Sequence, residues 1–311
     1  MGIIPGPKQL KDFDSFLWPA IEEAHELAAG ISAYDVIEDQ IFTEHAYLCL
    51  FGGDIPAVSK AWLHMKGHNG ICPCRQCRAL AVRPPVEVGT CGRVPYYIPL
   101  RRPAGYPPPH YNVDSLPLCT HSQFIRHAER VTSAKTQTES EQLARYYGIK
   151  SLPILSQLGS VSLPRSFPYD FMHLLENVME ILMLHWTGKF KALDSGQGTY
   201  EIPKAVWEKI GHITLESNAT IPSAFGRRLL NIHEDRPYYT AEAWLVWSTL
   251  LAPELLHDRL DTRYFKHFLR FVGLVKLTIS FEYTRSDLEV LKDGWGEWLK
   301  DYEKRVYSYF S

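Results

Sequence analysis

From Asp170 onward, apolar residues recur at helical spacing with few interruptions, and this confines the second half of the chain to a helical arrangement. Asp170 to Trp186 sets Phe171, Leu174, Leu175, Val178, Ile181 and Leu182 along one face, and Gly188 supplies a stop. Further helices are predicted over 203–212, 220–231, 240–256, 262–280 and 285–309. The last is expected to start at Ser286, where Glu289 has capping-box spacing. There are no sequence repeats and no coiled-coil heptads.

The first half is mixed. A helix is predicted from about Ser15 to Ala29, capped by Asp12 or Asp14 and ended by Gly30. Ile41 to Phe51 reads as a strand, with Tyr47-Leu48-Cys49-Leu50-Phe51 as a buried apolar run. Gly52-Gly53 breaks it and leaves Asp54 at its C-terminal end. Pro56 suits the first turn of a following helix, Ala57 to Met65. Residues 67–118 read mostly as loop, with a short strand at Tyr96–Leu100 and a stiff connector at Tyr106–Pro109. The helical pattern returns from Ser122 to Tyr147, weakened by polar residues between Thr132 and Ser140, and Gly148 to Pro168 is extended. The fold class expected is α+β and predominantly helical. Its segments are 1–66, a Cys-rich loop region 67–120, a helical segment 121–190 and an all-helical region 191–311.

Composition narrows the function classes. With 311 residues, 45% apolar and 22% charged, the chain is long enough to bury a substantial core. A formal charge of -2 provides no overall pull toward nucleic acid or a membrane surface, so DNA binding would need a local basic patch. The six cysteines all fall at or before Cys119, too sparse for a secreted disulfide scaffold. Met1 to Pro7 lacks the basic start and long apolar run of a secretory signal, and no apolar stretch is long enough to span a bilayer. The expected setting is intracellular and reducing, with no membrane partner and no small-molecule substrate implied. Gly-rich phosphate loops, Gly-x-Ser-x-Gly elbows and His-Glu-x-x-His are absent from the sequence.

Three constellations carry candidate chemistry. Asp54 lies where many phosphoryl-transfer folds place a metal ligand, and equally where a helix N-cap belongs. Cys74-x-x-Cys77 has the spacing for two thiolates on one tetrahedral Zn²⁺. His64, His68 and Cys72 lie just upstream. His68 and Cys72 could complete a site locally; the other reading is reduced thiols in a loop. Asp170 and His173 share a face at the start of a helix, extended by Glu176 or Asn177. They suit a metal, a hydrogen-bonded pair, or a helix cap with a packed histidine.

The order IIPGPK, DFDSFLWPAIEEAHEL, GGDIPAVSKAWLHMKGHNGICPCRQC, YYIPL, LPRSFPYDFMHLLENV and WTGKF resembles the CACTA-type DNA transposases, in particular the Plavaka-like fungal group. The resemblance runs over essentially the whole chain. It implies a partial ribonuclease H-like core followed by a helical insertion region, a nuclear location and DNA as partner, with self-association left open. In that family three acids hold two Mg²⁺ for in-line attack on phosphodiesters. The resemblance makes Asp54 the second acid and places Asp170 and His173 in an Asp-x-x-His motif with a supporting role. It makes Cys74 and Cys77 half of a zinc site; Arg75 and Arg78, beside those cysteines, are the candidate DNA contacts of a reading in which the chain is a non-catalytic binding module.

Two departures accompany the match. The first acid is expected upstream of IIPGPK and the third beyond the helical insertion, and Glu303-Lys304 does not match the third-acid motif. The histidine pair that would complete the zinc site is also missing. The expectation is a transposase-derived chain that is catalytically incomplete, since one aspartate does not supply the charge that two Mg²⁺ require. The competing readings are a domesticated non-catalytic module binding DNA or protein, and an independent metal hydrolase using Asp54, His68, Asp170 and His173.

Overall fold

The computed structural model describes residues 12–82, 98–102, 105–106, 108, 110–190 and 198–306. They are predominantly helical, with one two-stranded sheet among them. The chain divides into two compact units, residues 1–81 with 117–170, and residues 82–116 with 171–311. The units therefore cut across the four consecutive segments read from the sequence. Asp170 ends the second segment of one unit and Phe171 begins the second segment of the other. Among the described residues, no helix is long and apolar enough to cross a membrane.

In the first unit, helix α1 spans Asp14–Ala29. Asp12 Oδ1 accepts from Ser15 N–H at 3.2 Å, satisfying one of the orphan amides of the first turn. Strands β1 (Ile31–Asp35) and β2 (Gln40–Glu44) form an antiparallel hairpin in register from Ile31↔Glu44 to Asp35↔Gln40.

The single strand expected over Ile41–Phe51 is not formed. Its ladder ends at Glu44, because β1 offers no backbone beyond Ile31 to pair with. Tyr47, Leu48 and Leu50 are consequently exposed, at 58%, 45% and 70%. Of that run only Phe51 enters the core, with its N–H on the Ser166 carbonyl. It stacks on Phe167 at 5.1 Å between ring centroids. Around this pair pack Val58, Leu63, Phe124, Leu155 and Leu163.

The pattern predicted over 122–147 is two helices, α2 (His121–Thr132) and α3 (Gln137–Tyr147). The break falls within the polar stretch because Thr136 caps α3 there, accepting from Glu139 N–H at 3.1 Å. Thr120 and Gln123 form a reciprocal capping box at the start of α2. Gly148 ends α3 in the left-handed region, φ 75. Its Lys66 N–H···O=C contact, together with Ile71 N–H to the Arg145 carbonyl, ties the start of the cysteine loop to this helix end.

In the second unit, α4 spans Phe171–Trp186 and α5 Lys204–Glu216. Next come α6 (Ala241–Val246), a π-helical turn Trp247–Leu251, and α7 (Ala252–Leu256). Helices α8 (Thr262–Thr278) and α9 (Arg285–Val306) complete it. Trp247 is the fully buried centre. Its indole N–H donates to Thr214 Oγ1 at 3.1 Å, so this large side chain is buried without an orphaned donor.

The helix predicted over 220–231 is absent. Pro222 precedes a single 3-10 turn, Ser223–Phe225, and Gly226 turns the chain at φ 122. Asn218 then substitutes for helical bonding by pairing with both backbone groups of Leu229 at 2.7 Å. The cap of α9 also differs from expectation. Thr284 rather than Ser286 takes the position, accepting from Asp287 N–H at 3.1 Å while Asp287 Oδ2 accepts from Thr284 N–H at 2.8 Å.

A Cβ at position 148 would stand 1.9 Å from the Cys72 carbonyl oxygen, in a backbone conformation that L residues avoid. Gly148→Ala is therefore expected to destabilise the protein by more than about 1 kcal/mol, the loss being read from the urea midpoint. A midpoint equal to that of the parent protein would show that the cysteine loop is not seated on Gly148.

Candidate thiolate and metal site

The cysteine loop is held by backbone bonds on both flanks. Ala81 N–H donates to the Ile71 carbonyl at 2.7 Å, closing the loop on itself. Cys77 bridges antiparallel to Leu118, with Arg78 N–H on the Pro117 carbonyl and Cys119 N–H on the Gln76 carbonyl. This pairing brings Cys119 to the side of a loop more than forty positions earlier in the chain. Cys72, Cys74, Cys77 and Cys119 are all unbridged thiols.

Arg75, although flanked by loop residues, is only 2% exposed. Its Nε donates to the Phe167 carbonyl at 3.1 Å and its Nη2 to the Pro168 carbonyl at 2.5 Å. The guanidinium lies over the Tyr169 ring, 4.0 Å from its centroid. Its third nitrogen, Nη1, is buried without a hydrogen-bond partner among the described residues. Burial lowers the Arg75 pKa, and the charges of Tyr169, Cys74 and Asp170 pull it back up. Gln76 reinforces the clamp with hydrogen bonds to the Pro164 and Phe167 carbonyls.

Cys74 sits inside this frame. Its sulfur is 3.3 Å from the Tyr169 hydroxyl and accepts from Cys77 N–H at 3.3 Å. A hydrogen bond from the Cys77 thiol is the largest influence on it, and together these donors bring its pKa down to about 5 against the opposing effect of burial. Cys77 moves the opposite way, because it donates to Cys74 and is itself desolvated. Burial also raises Cys119, and it pushes Cys72 up to about 12. Cys74 is thus the thiol of the loop that its surroundings favour ionising, and Cys72, Cys77 and Cys119 are pushed toward the neutral form.

The other sequence candidates are distributed differently. Asp54 is exposed and its carboxylate accepts from Ala57 N–H, while its carbonyl accepts from Val58 N–H, so it caps the π-helical segment Ala57–Trp62. His68 is exposed. Asp170 directly precedes α4, and His173 lies in its first turn, half-buried. Arg78 is exposed as a DNA contact requires. Arg75 is not, so its expected role in meeting DNA is revised: its guanidinium is spent on two internal carbonyls and an aromatic face. Glu303 is likewise internal to its unit, accepting from Leu100 N–H at 2.6 Å. Of the short strand expected at Tyr96–Leu100, residues Tyr96 and Tyr97 lie outside the described residues, as does Cys91.

Cys74 and Cys77 present neighbouring sulfurs, two of the four ligands that a structural Zn²⁺ takes. Cys72 directs its thiol to the Cys77 carbonyl and Cys119 to the Thr120 carbonyl, each at 3.7 Å. Among the described residues, no three His, Cys, Asp or Glu side chains form a group placed to hold a metal ion. Comparison with protein-family models, curated proteins and solved structures gives no match.

Two participants escaped the sequence reading. Tyr169 and Cys119 are remote in sequence from the Cys-x-x-Cys, and nothing in their local pattern marks them. A signal was available for Tyr169 only in its position between Pro168 and Asp170, next to a motif already singled out.

Because the folded pKa of Cys74 lies below the ordinary thiol value of 9.0, its ionisation stabilises the fold above about pH 9 and that contribution is lost as pH falls through about 5. Chelator-treated protein is expected to show an ultraviolet thiolate absorbance at neutral pH that disappears through that range. Cys74→Ser should remove it, and Tyr169→Phe should move the transition to higher pH. Absence of any thiolate signal below pH 8 would contradict the assignment.

Proposed function

We propose that the chain is the internal portion of a CACTA-type, Plavaka-like DNA transposase, and that it lacks strand-transfer and nuclease activity by itself. The observation that carries this reading is the ordered series of motifs. Gly-Gly-Asp54-Ile-Pro-Ala is followed by the loop of Cys74 and Cys77 and then by Pro-Tyr-Asp170-Phe-Met-His173, with a long helical region after it. The order and the spacing are together more specific than any one motif.

On this reading Asp54 is one of three acids that hold Mg²⁺, and its partners belong to a ribonuclease H-like core that extends beyond these residues. Its exposure leaves the carboxylate accessible to a metal shared with other acids. Bound Mg²⁺ would activate a water or a DNA 3′-hydroxyl for in-line attack. Cys74 and Cys77 would contribute two thiolates to a Zn²⁺ that fixes the loop, and Arg78 would reach the DNA backbone. By the same resemblance Asp170 and His173 would be the Asp-x-x-His motif, with a supporting role. The predominance of helix after Asp170 agrees with an insertion region placed between the second and third acids.

The purified 311-residue protein is expected to give no Mg²⁺- or Mn²⁺-dependent nicking of supercoiled DNA. Cleavage should appear when polypeptide bearing the two further acids is joined to it. Asp54→Asn should then lower the rate by about 10²-fold or more, since electrostatic stabilisation by bound metal is the main catalytic term. Nicking by the 311-residue protein that is lost in Asp54→Ala would overturn the claim of incompleteness. Joined-protein cleavage indifferent to Asp54 would remove its metal-binding role.

A further inference from the structure

A second constellation lies in the same unit as the cysteine loop, away from the Cys-x-x-Cys. His64 Nδ1 is 2.8 Å from Ser151 Oγ, and His64 Nε2 is 3.1 Å from Asp14 Oδ1. The three residues come from the start of α1, the chain just after the π-helical segment and the extended stretch beyond α3. The imidazole therefore stands between a hydroxyl and a carboxylate, one on each ring nitrogen. The nitrogens are used in the reverse of their commonest order. Base chemistry requires only that one nitrogen face the hydroxyl and the other the carboxylate.

Two features distinguish this arrangement from a chance surface contact. His64 has φ 49, one of three positive-φ residues other than glycine among the described residues. That conformation is fixed from both sides, by Lys150 N–H to the His64 carbonyl at 2.7 Å and by Met65 N–H to the Ser59 carbonyl at 2.6 Å. Residues held in a sparsely populated backbone region by their surroundings concentrate at functional sites. Secondly, Asp14 Oδ1 is buried and makes no aligned hydrogen bond, so its charge is left to act on the imidazole at 3.1 Å. A cleft of about 530 Å³ opens alongside, lined by Asp14, Trp18, Leu152, Pro153 and Ile154. Its walls also carry the polar Asp12, Ser15, Ser156 and Gln157; Ser151 and His64 do not line it, and Leu152 adjoins Ser151 in the chain.

We propose that Ser151, His64 and Asp14 are the nucleophile, general base and orienting carboxylate of an acyl-transfer site for small carboxylic esters. Ser151 Oγ attacks the ester carbonyl carbon and its proton passes to His64 Nδ1. The ester C–O bond then breaks, and the departing alkoxide takes that proton and leaves as the alcohol. A water attacks the resulting Ser151 ester and gives a proton to His64 Nδ1. The acyl–Oγ bond breaks, the carboxylic acid departs, and the proton returns to Ser151. Asp14 stays ionised throughout and balances the imidazolium that forms twice in the cycle. The cleft beside Leu152 receives the acyl chain.

A fluorophosphonate probe and p-nitrophenyl acetate test this with the whole protein. Mass spectrometry of the parent protein is expected to place a single phosphonyl adduct on Ser151. Acetate release from p-nitrophenyl acetate should show an initial burst. His64→Gln should slow phosphonylation by about 10²-fold or more, the range of general base catalysis. Ser151→Ala should abolish both signals while its circular dichroism matches the parent. Ser133→Ala, at the end of α2, should label like the parent. An unlabelled parent Ser151, or an adduct on another residue only, would overturn the proposal, and neither result depends on any variant folding.

Discussion

The buried guanidinium of Arg75 is the contact on which the first unit depends. A charge taken out of water is costly unless its donors are met, and Arg75 is only 2% exposed. The cost is offset by the Phe167 and Pro168 carbonyls, the Tyr169 ring and the electrostatic pull of Tyr169, Cys74 and Asp170. Each of these partners is thereby held. Phe167 is fixed where it stacks on Phe51 in the core. Tyr169 is fixed where its hydroxyl meets Cys74. Removing the guanidinium would take this donor from the Pro168 carbonyl, leave the Phe167 carbonyl to Gln76 alone, and free the Tyr169 ring that meets Cys74, so packing and thiol chemistry are linked through one side chain. Lysine would not replace it, because its point charge cannot span two carbonyls and lie flat on a ring.

Helical periodicity was the legible part of the sequence. Helices α1, α4, α5, α8 and α9 fall within a few residues of where apolar spacing puts them. Failures occurred where a backbone partner outside the local window decided the outcome. Tyr47–Phe51 has the composition of a buried strand, yet a strand needs a neighbour, and β1 is spent by Glu44. The span 220–231 keeps helical composition, but Asn218 captures Leu229 across eleven positions and Gly226 completes the turn. Thr284 outcompeted Ser286 because Asp287 at the third position reciprocates its bond.

The candidate site was legible in its residue types and not in its partners. Cys74 and Cys77 announce themselves by spacing. Which of them ionises depends on Tyr169 and on the direction of the Cys77 thiol, neither of which spacing encodes. Arg75 looked like a surface cation because its neighbours in sequence are loop residues. His64 was visible only as an extra histidine near the cysteines, and its contacts instead run to Asp14 and Ser151.

The two units treat their polar groups differently. In the helical unit, buried histidines act as packing pieces with a polar end. His267 stacks on Trp298 and its Nε2 meets the Trp298 carbonyl at 3.0 Å, while His185 Nε2 meets the Tyr302 hydroxyl at the same distance. Trp298 returns its indole N–H to the His267 carbonyl, which ties α8 to α9. Such reciprocal contacts bind helices together and leave little room for a substrate. In the first unit, by contrast, the Cys74 thiol and the His64 imidazole are both held by loop backbone, the first beside the Tyr169 hydroxyl and the second between a hydroxyl and the carboxylate that opens α1. Fixed loops can hold reactive groups at an opening, where helix interfaces bury them. The division of labour follows from that difference: the helical unit supplies a rigid aromatic core, and the groups able to do chemistry are gathered where backbone hydrogen bonds tie the start of the cysteine loop to the end of α3 and the stretch after it, with α1 joined through Asp14.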